Sequence, residues 1–549
     1  MDQSNLSFMK KLIINLLFLI SVFAQKVYAQ NSIPHLEGKG NQRFLVVEGK
    51  PFLVLAGELG NSSFTGTEYM KPIWPKVKQM NLNTILAPVY WELIEPKEGQ
   101  FEFDLLDELI LEARRQEIKL VLLWFGSWKN SMSSHVPAWI KQNQTKYPRA
   151  KDEKGQSQEI LTPFSENNLQ ADIRAFTTLM KHLKTFDGKA QTVIMVQPEN
   201  EIGMLPSARD YHLLANELFM KDVPAELTDY LKKNKENLVP EFLNIWRKNG
   251  FKTKGNWNEV FGEGYRTDEL FMAWYFAKFT GKLAEAGKAA YPLPMFVNAA
   301  LIRAGKVPGE YPSAGPLPHL MDIWKAGAPA IDFLSPDFYT PDFEHWCNLY
   351  IRQENTLFVP EHRFDATVAA KALFAIGHYG AIGFSPFSIE STPNPEKEEI
   401  GKAYHLINQL SPMLAQYRGQ GMIDGVLLEK DKVLSTVVLG DYEFSFKNSY
   451  SLGWEAGATK SEWDSGGALI IQTGKNEFYI AGSGIVVTFK NWKKREKTVG
   501  ILKNEEGVFE NGDWKVIRHL NGDQTHQGRH IRISHGDYSI QRLELYDYE

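Results

Sequence analysis

Two glutamates stand just after two apolar stretches of the sequence. Glu201 comes shortly after the β-forming run at residues 192–196, and Glu361 comes directly after residues 357–360. Each run is typical of a buried parallel strand, so each glutamate is predicted at the carboxyl end of a strand. Two carboxyls that meet from separate strand ends are what the hydrolysis of a glycosidic bond needs.

This chemistry sets a distance and a difference in protonation between the two carboxyls. In retaining hydrolysis they lie roughly 5–5.5 Å apart, on opposite sides of the scissile bond. One carboxyl must keep a proton for the leaving oxygen, and the other must be ionised in order to attack. We expect this difference if Glu201 lies in a drier site and Glu361 is held by hydrogen-bond donors.

A repeated pattern of strands and helices would position these glutamates. Short apolar runs occur at residues 52–56, 84–88, 120–124, 192–196, 295–298, 331–335, 357–360 and 381–387, and a helical pattern follows each one. Asp104 is predicted to cap the second of these helices. The order predicts an α/β fold, a (β/α)8 TIM barrel, over residues 30–419. The alternative, a doubly wound open sheet, usually has a glycine-rich phosphate loop after its first strand, and residues 57–61 lack that spacing.

The pattern changes beyond residue 419. Short runs of β-forming residues separated by turn residues fill residues 420–549. This spacing predicts a separate C-terminal domain, an antiparallel β-sandwich.

The N-terminus has the features of a secretory signal peptide at residues 1–29, with cleavage before Gln30. Cys347 is the only cysteine, so no intrachain disulfide can form. An exported chain without disulfides fits a bacterial envelope, so we expect a periplasmic or secreted protein with no membrane anchor after cleavage. The net charge of −5 gives no reason to expect a nucleic-acid partner. The sequence leaves the oligomeric state open.

Motifs for other kinds of chemistry are missing from the sequence. The histidines show no paired spacing such as His-Glu-x-x-His, and neither a serine elbow nor a nucleotide-binding loop stands out. We therefore expect no metal and no cofactor, and retaining glycoside hydrolysis requires neither.

Taken together, the ordered motifs resemble a known group of enzymes. Asn200-Glu201 after the fourth strand, Glu361 after the seventh, and Trp91-Glu92-Leu93-Ile94-Glu95-Pro96 followed by Gly99 make up the set. Over residues 40–419 the chain resembles the retaining barrel glycoside hydrolases, and most of all family 35, the β-galactosidases. Family 42, also mainly β-galactosidases, shares the Glu-Pro…Gly…Phe pattern.

The resemblance implies roles for four residues. Glu201 would be the acid/base and Glu361 the nucleophile. Asn200 would bind the 2-hydroxyl of the sugar, and Tyr339 would donate a hydrogen bond to Glu361. Glu199 is an alternative to Glu201, because residues two apart share one face of a strand, but only Glu201 follows an asparagine as in the family.

The segment after the third strand departs from the family pattern. Many family 35 members have a cysteine, a Glu-Trp pair and paired glycines there, whereas residues 125–130 read Phe-Gly-Ser-Trp-Lys-Asn. This resembles a bacterial branch with one small C-terminal β domain. We expect Trp128 and Asn130 to contact the galactose, and Glu58 and Glu92 to line the substrate pocket.

The resemblance implies an exo-acting, retaining β-galactosidase. Its carbohydrate substrate would carry terminal β-galactose, on xyloglucan side chains or on other plant or host glycans. Two alternatives remain open at this point. One is an endo-acting β-glucanase or mannanase of the same clan, and the other is a sugar-binding barrel without catalysis.

Overall fold

The computed structural model describes residues 33–549, so the predicted signal peptide lies outside the described residues. The described part begins with a small antiparallel sheet of three strands, His35–Glu37, Phe44–Val47 and Lys50–Phe52. Within residues 33–549, no helix combines the length and the apolar character needed to cross a membrane.

The central sheet contains eight parallel strands in the described part of the chain. They are β1 (Val54–Glu58), β2 (Thr84–Tyr90), β3 (Lys119–Phe125), β4 (Val193–Pro198), β5 (Phe296–Ala300), β6 (Phe333–Phe338), β7 (Val359–His362) and β8 (Gly383–Pro386). Each strand pairs with the next in the chain, β8 pairs with β1, and a bridge between Val196 and Met295 joins β4 to β5. The sheet is therefore a barrel, as the sequence predicted.

One main helix follows each barrel strand and covers it from outside. These helices are α1 (Ile73–Gln79), α2 (Asp104–Arg115), α3 (Glu166–Phe186), α4 (Tyr265–Ala290), α5 (Met321–Gly327), α6 (Phe343–Tyr350), α7 (Val368–His378) and α8 (Glu399–Tyr417). Further helices lie in the connections, at Thr67–Met70, Trp91–Ile94, Ala138–Lys141, Leu213–Phe219, Ala225–Lys233, Pro240–Lys248 and Trp257–Phe261.

The barrel core follows from the apolar runs. Every residue of β2 is buried, and so is all of β3 except its first residue, because both faces of these strands are covered. α2 shows the complementary helical pattern, with Leu106, Leu109, Ile110 and Ala113 buried on one face. The predicted cap of this helix is wrong: Asp104 is its first helical residue, and Phe103 occupies the cap position without a side-chain hydrogen bond.

Two antiparallel sheets follow the barrel. Their strands are β9 (Ile423–Leu428), β10 (Leu434–Leu439), β11 (Tyr442–Asn448), β12 (Gly466–Gln472), β13 (Glu477–Ser483), β14 (Ile485–Asn491), β15 (Thr498–Glu510), β16 (Asp513–His519), β17 (Ile531–Ile533) and β18 (Ser539–Tyr548). One sheet has the order β9-β12-β13-β18-β15-β16 and the other β10-β11-β14-β17. A separate apolar cluster that includes Phe444, Phe478 and Val487 fills the space between them.

The larger sheet also packs directly against the barrel. A Cβ added to Gly377 of α7 would lie 2.7 Å from the Cα of Gly425 in β9, and one added to Gly467 of β12 would lie 2.6 Å from the Cα of Ala370 in α7. At these points only glycine lets the helix and the two strands approach so closely. Leu427 and Leu469 consequently belong to the same apolar core as the barrel. The predicted domain division at residue 419 lies between the end of α8 and the start of β9.

Candidate active site

Three carboxyl groups meet at the carboxyl end of the barrel. One oxygen each of Glu201, Asp337 and Glu361 lie within 4.8 Å of one another. Glu201 follows β4, whereas Asp337 and Glu361 sit opposite each other in the register between β6 and β7. Parallel strands end at one face of a barrel, so residues far apart in the chain converge there. The structure thus brings the two predicted glutamates together and adds an aspartate.

Glu361 is buried and is held by a tyrosine. The Tyr339 O–H donates a short hydrogen bond to Oε1 of Glu361, as the resemblance implied. Burial, and next the charge of Glu201, raise the pKa of Glu361 to about 7, against the influence of Lys129 and the Tyr339 hydrogen bond. Burial and the neighbouring Glu361 also raise the pKa of Tyr339, so Tyr339 keeps the proton that it donates.

Glu201 is held by its backbone rather than by a side-chain donor. Its φ of +40° lies in the left-handed region, which is uncommon for a residue with a side chain. The Glu201 backbone N–H donates to Oδ1 of Asn298 on β5 at 2.9 Å. Burial raises the pKa of the Glu201 carboxyl, and the charge of Lys129 opposes this effect. Of the two glutamates, only Glu361 accepts a side-chain hydrogen bond that stabilises its ionised form, and this bond opposes the effects of burial and of the Glu201 charge on its pKa.

Asn200 lies beside this pair in a fixed orientation. Its Oδ1 accepts hydrogen bonds from Asn298 Nδ2 at 3.0 Å and from Gln197 Nε2 at 2.7 Å, and its Nδ2 donates to the backbone oxygen of Lys129 at 2.9 Å. These contacts determine which end of the amide is the donor. The second N–H of Nδ2 can therefore serve a sugar hydroxyl, which is the role that the resemblance implied.

Glu199 faces a different part of the molecule from Glu201. Its carboxyl accepts hydrogen bonds from the backbone N–H groups of Trp128 at 2.7 Å and Ser127 at 3.3 Å. Burial, and then the adjacent Asp172 of α3, raise its pKa well above the ordinary value. Glu199 and Asp172 therefore share a proton and fix the loop that follows β3. The choice of Glu201 over Glu199 agrees with this geometry.

The remaining predicted binding residues are Asn130, Glu58, Trp128 and Glu92, and each has different surroundings. Asn130 lines the cleft, and its Oδ1 accepts from Met132 N and Ser133 Oγ, both at 2.9 Å. Glu58 is 2% exposed beside the carboxyl cluster, where burial and then Glu361 raise its pKa well above the ordinary value.

Trp128 and Glu92 do not line this cleft. Trp128 is fully buried, with its ring 4.9 Å from that of Phe279, so its predicted sugar contact is replaced by a packing role in the core. Glu92 is held by His135 Nδ1 at 2.7 Å and by Lys141 Nζ at 3.6 Å. This pairing turns its carboxylate away from the pocket that it was expected to line.

Sequence reasoning missed two charged residues of the site. Asp337 is fully buried and neither of its carboxyl oxygens has a hydrogen-bond partner; burial, and next Glu361, raise its pKa well above the ordinary value. The charge of Lys129 lowers the pKa of Glu58, Glu201, Asp337 and Glu361 alike. The rule that identified the glutamates, a carboxyl at the end of a strand, would also have found Asp337.

An open cleft of about 850 Å³ leads to the carboxyl cluster. Its lining includes Glu201 and Tyr339 of the site, together with Leu205, Arg303, Trp346 and Arg363. This volume lies in the range of small-molecule sites. The three oxygens of Glu201, Asp337 and Glu361 lie close enough together to hold a metal ion, and the charge of Lys129 lies near the same carboxyls.

Two family models match parts of the chain. Residues 44–263 match the family model described as glycosyl hydrolases family 35, and residues 400–532 match a domain of unknown function, DUF5597. The first match includes Glu201 and ends before Glu361.

Individual relatives have low sequence identity to this chain. A β-galactosidase of Xanthomonas manihotis is 26% identical over 179 residues, which cover 31% of this chain and 27% of that protein. Beta-galactosidase 14 of Arabidopsis thaliana is 26% identical over 162 residues, covering 29% and 17%. The β-galactosidase structure from Rahnella sp. R3 has a TM-score of 0.45 at 15% identity and covers 66% and 57%.

The chain thus spans about a quarter or less of the length of these curated relatives. The family match and the names of the relatives agree on one class of enzyme, and the motifs around Glu201 had predicted the same family. We conclude that residues 44–263 are similar to the glycosyl hydrolases of family 35.

Proposed function

We propose that the protein is an exo-acting β-galactosidase that releases terminal β-galactose with net retention. The observation that carries the proposal is the distance of at most 4.8 Å between carboxyl oxygens of Glu201 and Glu361. Retaining enzymes hold their carboxyls roughly 5–5.5 Å apart, whereas inverting enzymes need roughly 6.5–9.5 Å to admit a water molecule. The spacing supports a direct attack by one carboxylate.

In the first step the Glu361 carboxylate attacks the anomeric carbon of galactose. The bond to the glycosidic oxygen breaks, and that oxygen takes the proton of Glu201 as it leaves. The products of this step are a galactosyl ester of Glu361, an ionised Glu201 and the free alcohol. The Tyr339 hydrogen bond favours the ionised form of Glu361 for the attack, and burial of Glu201 favours its protonated form.

In the second step Glu201 acts as a base. It removes a proton from a water molecule, whose oxygen attacks the anomeric carbon and breaks the ester to Glu361. Both carboxyls return to their starting protonation, and galactose leaves with its original β configuration. Asn200 supports both steps, because its second N–H can bind the 2-hydroxyl of the sugar. This hydroxyl lies next to the anomeric carbon, where charge develops.

Galactose as the sugar is proposed from the family and from the names of the relatives. The Xanthomonas and Arabidopsis relatives are both β-galactosidases, and their aligned regions are 26% identical to this chain. We further propose side chains of plant glycans such as xyloglucan as the substrate. The predicted signal peptide at residues 1–29 supports a role outside the cytoplasm, in the bacterial periplasm or medium.

Hydrolysis of 4-nitrophenyl β-galactoside tests the proposal. Glu361→Gln should abolish turnover, while the matched variant Glu92→Gln should retain it, because Glu92 pairs with His135 away from the cleft. Wild-type activity in Glu361→Gln would exclude Glu361 as the nucleophile.

Two further measurements examine stereochemistry and mode of action. Proton NMR during early hydrolysis should show β-galactose first, and α-galactose first would overturn retention. Galactosylated xyloglucan, pectic galactan and mucin oligosaccharides should release only galactose. Internal cleavage of glucan or mannan chains would instead favour the endo-acting alternative, and binding without any product would favour a sugar-binding barrel.

A further inference from the structure

A second cavity lies beside the active-site cleft. It has a volume of about 270 Å³, and we call it the side cavity; Tyr265, Leu270, Val307 and Tyr311 are among the residues that line it. Ile302 and Trp346 line both the side cavity and the cleft that contains Glu201. The two spaces are therefore neighbours that share a wall of one aliphatic and one aromatic side chain.

The chain builds this wall from elements next to the catalytic residues. Ile302 follows β5 directly, and Asn298 of β5 accepts the backbone N–H of Glu201. Trp346 lies on α6, the helix that follows β6 and Tyr339. The wall between the two spaces is therefore built from segments that follow strands of the catalytic site.

A buried carboxylate fixes the floor of the side cavity. Glu269 of α4 accepts hydrogen bonds from Tyr311 Oη at 2.7 Å and from the backbone N–H of Ala314 at 3.2 Å, and it contacts His319 Nε2 at 2.9 Å. These bonds tie the long connection after β5 to a barrel helix. The cavity is consequently formed before any ligand arrives, which is usual for small-molecule sites.

The surface of the side cavity suits a saccharide. Tyr265 is 45% exposed and Val307 is 37% exposed, so an aromatic ring and an aliphatic side chain face the solvent there. Arg266, Lys306 and Glu241 supply polar groups of both signs around them. Sugar rings present apolar C–H faces and hydroxyl edges, and aromatic side chains with polar neighbours match both. The mixed charges give no preference for an acidic glycan.

We propose that the side cavity binds the neutral oligosaccharide from which the terminal galactose is cleaved. The proposal rests on the proposed function, because it assigns the side cavity to the leaving-group side of the same reaction. Glu201, which protonates the leaving oxygen, lines the same cleft as Ile302 and Trp346, and the leaving chain would extend along this cleft to the side cavity. A galactose attached to at least two further sugars would reach the side cavity, whereas an aryl galactoside would not.

The test compares two substrates in one variant. Tyr265 lines the side cavity but not the cleft, so Tyr265→Ala removes its ring without altering the carboxyl cluster. We expect the ratio of kcat/KM for a galactosylated xyloglucan oligosaccharide to kcat/KM for 4-nitrophenyl β-galactoside to fall about tenfold, which corresponds to the loss of one ring contact. Tyr546→Ala is the matched control, since Tyr546 is 42% exposed in the C-terminal domain. An unchanged ratio in Tyr265→Ala would overturn the proposal.

A binding measurement separates this inference from the proposed function. Calorimetry with a xyloglucan heptasaccharide that lacks galactose needs no turnover. Binding to the wild type that weakens about tenfold in Tyr265→Ala supports the side cavity. Equal affinity of both proteins, or no binding at millimolar concentration, overturns it. Failure of the wild type to hydrolyse any galactoside would instead contradict the proposed function.

Discussion

Tyr339→Phe offers a quantitative check on the protonation of the two glutamates. The variant loses the O–H that donates to Glu361 and keeps the aromatic ring. A hydrogen bond to a charged group contributes about 1.5–3 kcal/mol, and each pKa unit corresponds to about 1.4 kcal/mol. Tyr339 is 38% exposed, so water will replace part of the lost bond and the lower value applies. The pKa of Glu361 should therefore rise by about one unit.

The sign of the effect follows from the charge state that Tyr339 stabilises. The tyrosine favours ionised Glu361, so its loss makes the proton harder to remove. The acidic limb of the profile of kcat/KM against pH, which reports the free enzyme, should move upward by about one pH unit. The two glutamates titrate together, so the measured value belongs to the pair.

The assay is hydrolysis of 4-nitrophenyl β-galactoside between pH 4 and pH 9. Tyr211→Phe is the control, because Tyr211 Oη also donates to a carboxylate, that of Glu153 at 3.2 Å, on an exposed part of the barrel. Its profile should match that of the wild type. An acidic limb that stays in place in Tyr339→Phe, or moves downward, would refute the assignment of the proton to Glu201.

Variants at three other positions test other parts of the site. Burial raises the pKa of Asp337, so the folded state disfavours its ionisation and wild-type stability falls by up to about 1.4 kcal/mol per pH unit above about pH 4. Asp337→Asn should therefore gain thermal stability over the wild type at pH 7 but not at pH 4, and an equal gain at both would contradict this. Asn298→Ala removes the acceptor of the Glu201 N–H and should lower kcat by up to about 100-fold, with an unchanged circular dichroism spectrum. Trp128→Ala should cost about 3–5 kcal/mol in urea unfolding. Trp128→Phe should leave the KM for galactosides unchanged. A large rise in KM would instead show that Trp128 contacts the sugar, as the sequence had predicted.

The barrel could be predicted from the sequence because its strands are buried on both faces. Such strands are continuous apolar runs, and all eight stood out, with ends displaced by a few residues where a polar residue such as Gln197 continues a strand. Strands of the C-terminal domain were harder to see. β16 is almost entirely exposed, and β15 alternates buried and exposed positions that include a buried Glu505, so neither resembles an apolar run.

The sequence predicted those site residues whose location depends only on their position at the end of a strand. It did not predict those whose location depends on the direction of the side chain. Glu201 and Glu361 needed only the rule that strand ends converge. Trp128 and Lys129 are neighbours after β3, and one enters the core while the charge of the other acts on the carboxyl cluster. Adjacent residues in extended chain point in opposite directions, and the sequence does not reveal which of them faces the barrel mouth. Glu92 was misplaced for a related reason, since its partner His135 lies far along the chain.

The glycine contacts between α7 and the C-terminal sheet limit how the domains of this protein could be exchanged with those of other proteins. Gly377 on the barrel side and Gly425 and Gly467 on the sheet side fit together backbone to backbone. α7 is also the helix that leads away from the strand carrying Glu361. If this barrel were joined to the C-terminal domain of another protein, or this C-terminal domain to another barrel, the glycines on one side of the contact would be missing. The two modules are therefore interchangeable only between chains that preserve all three glycines, so shuffling of domains must move them as a pair.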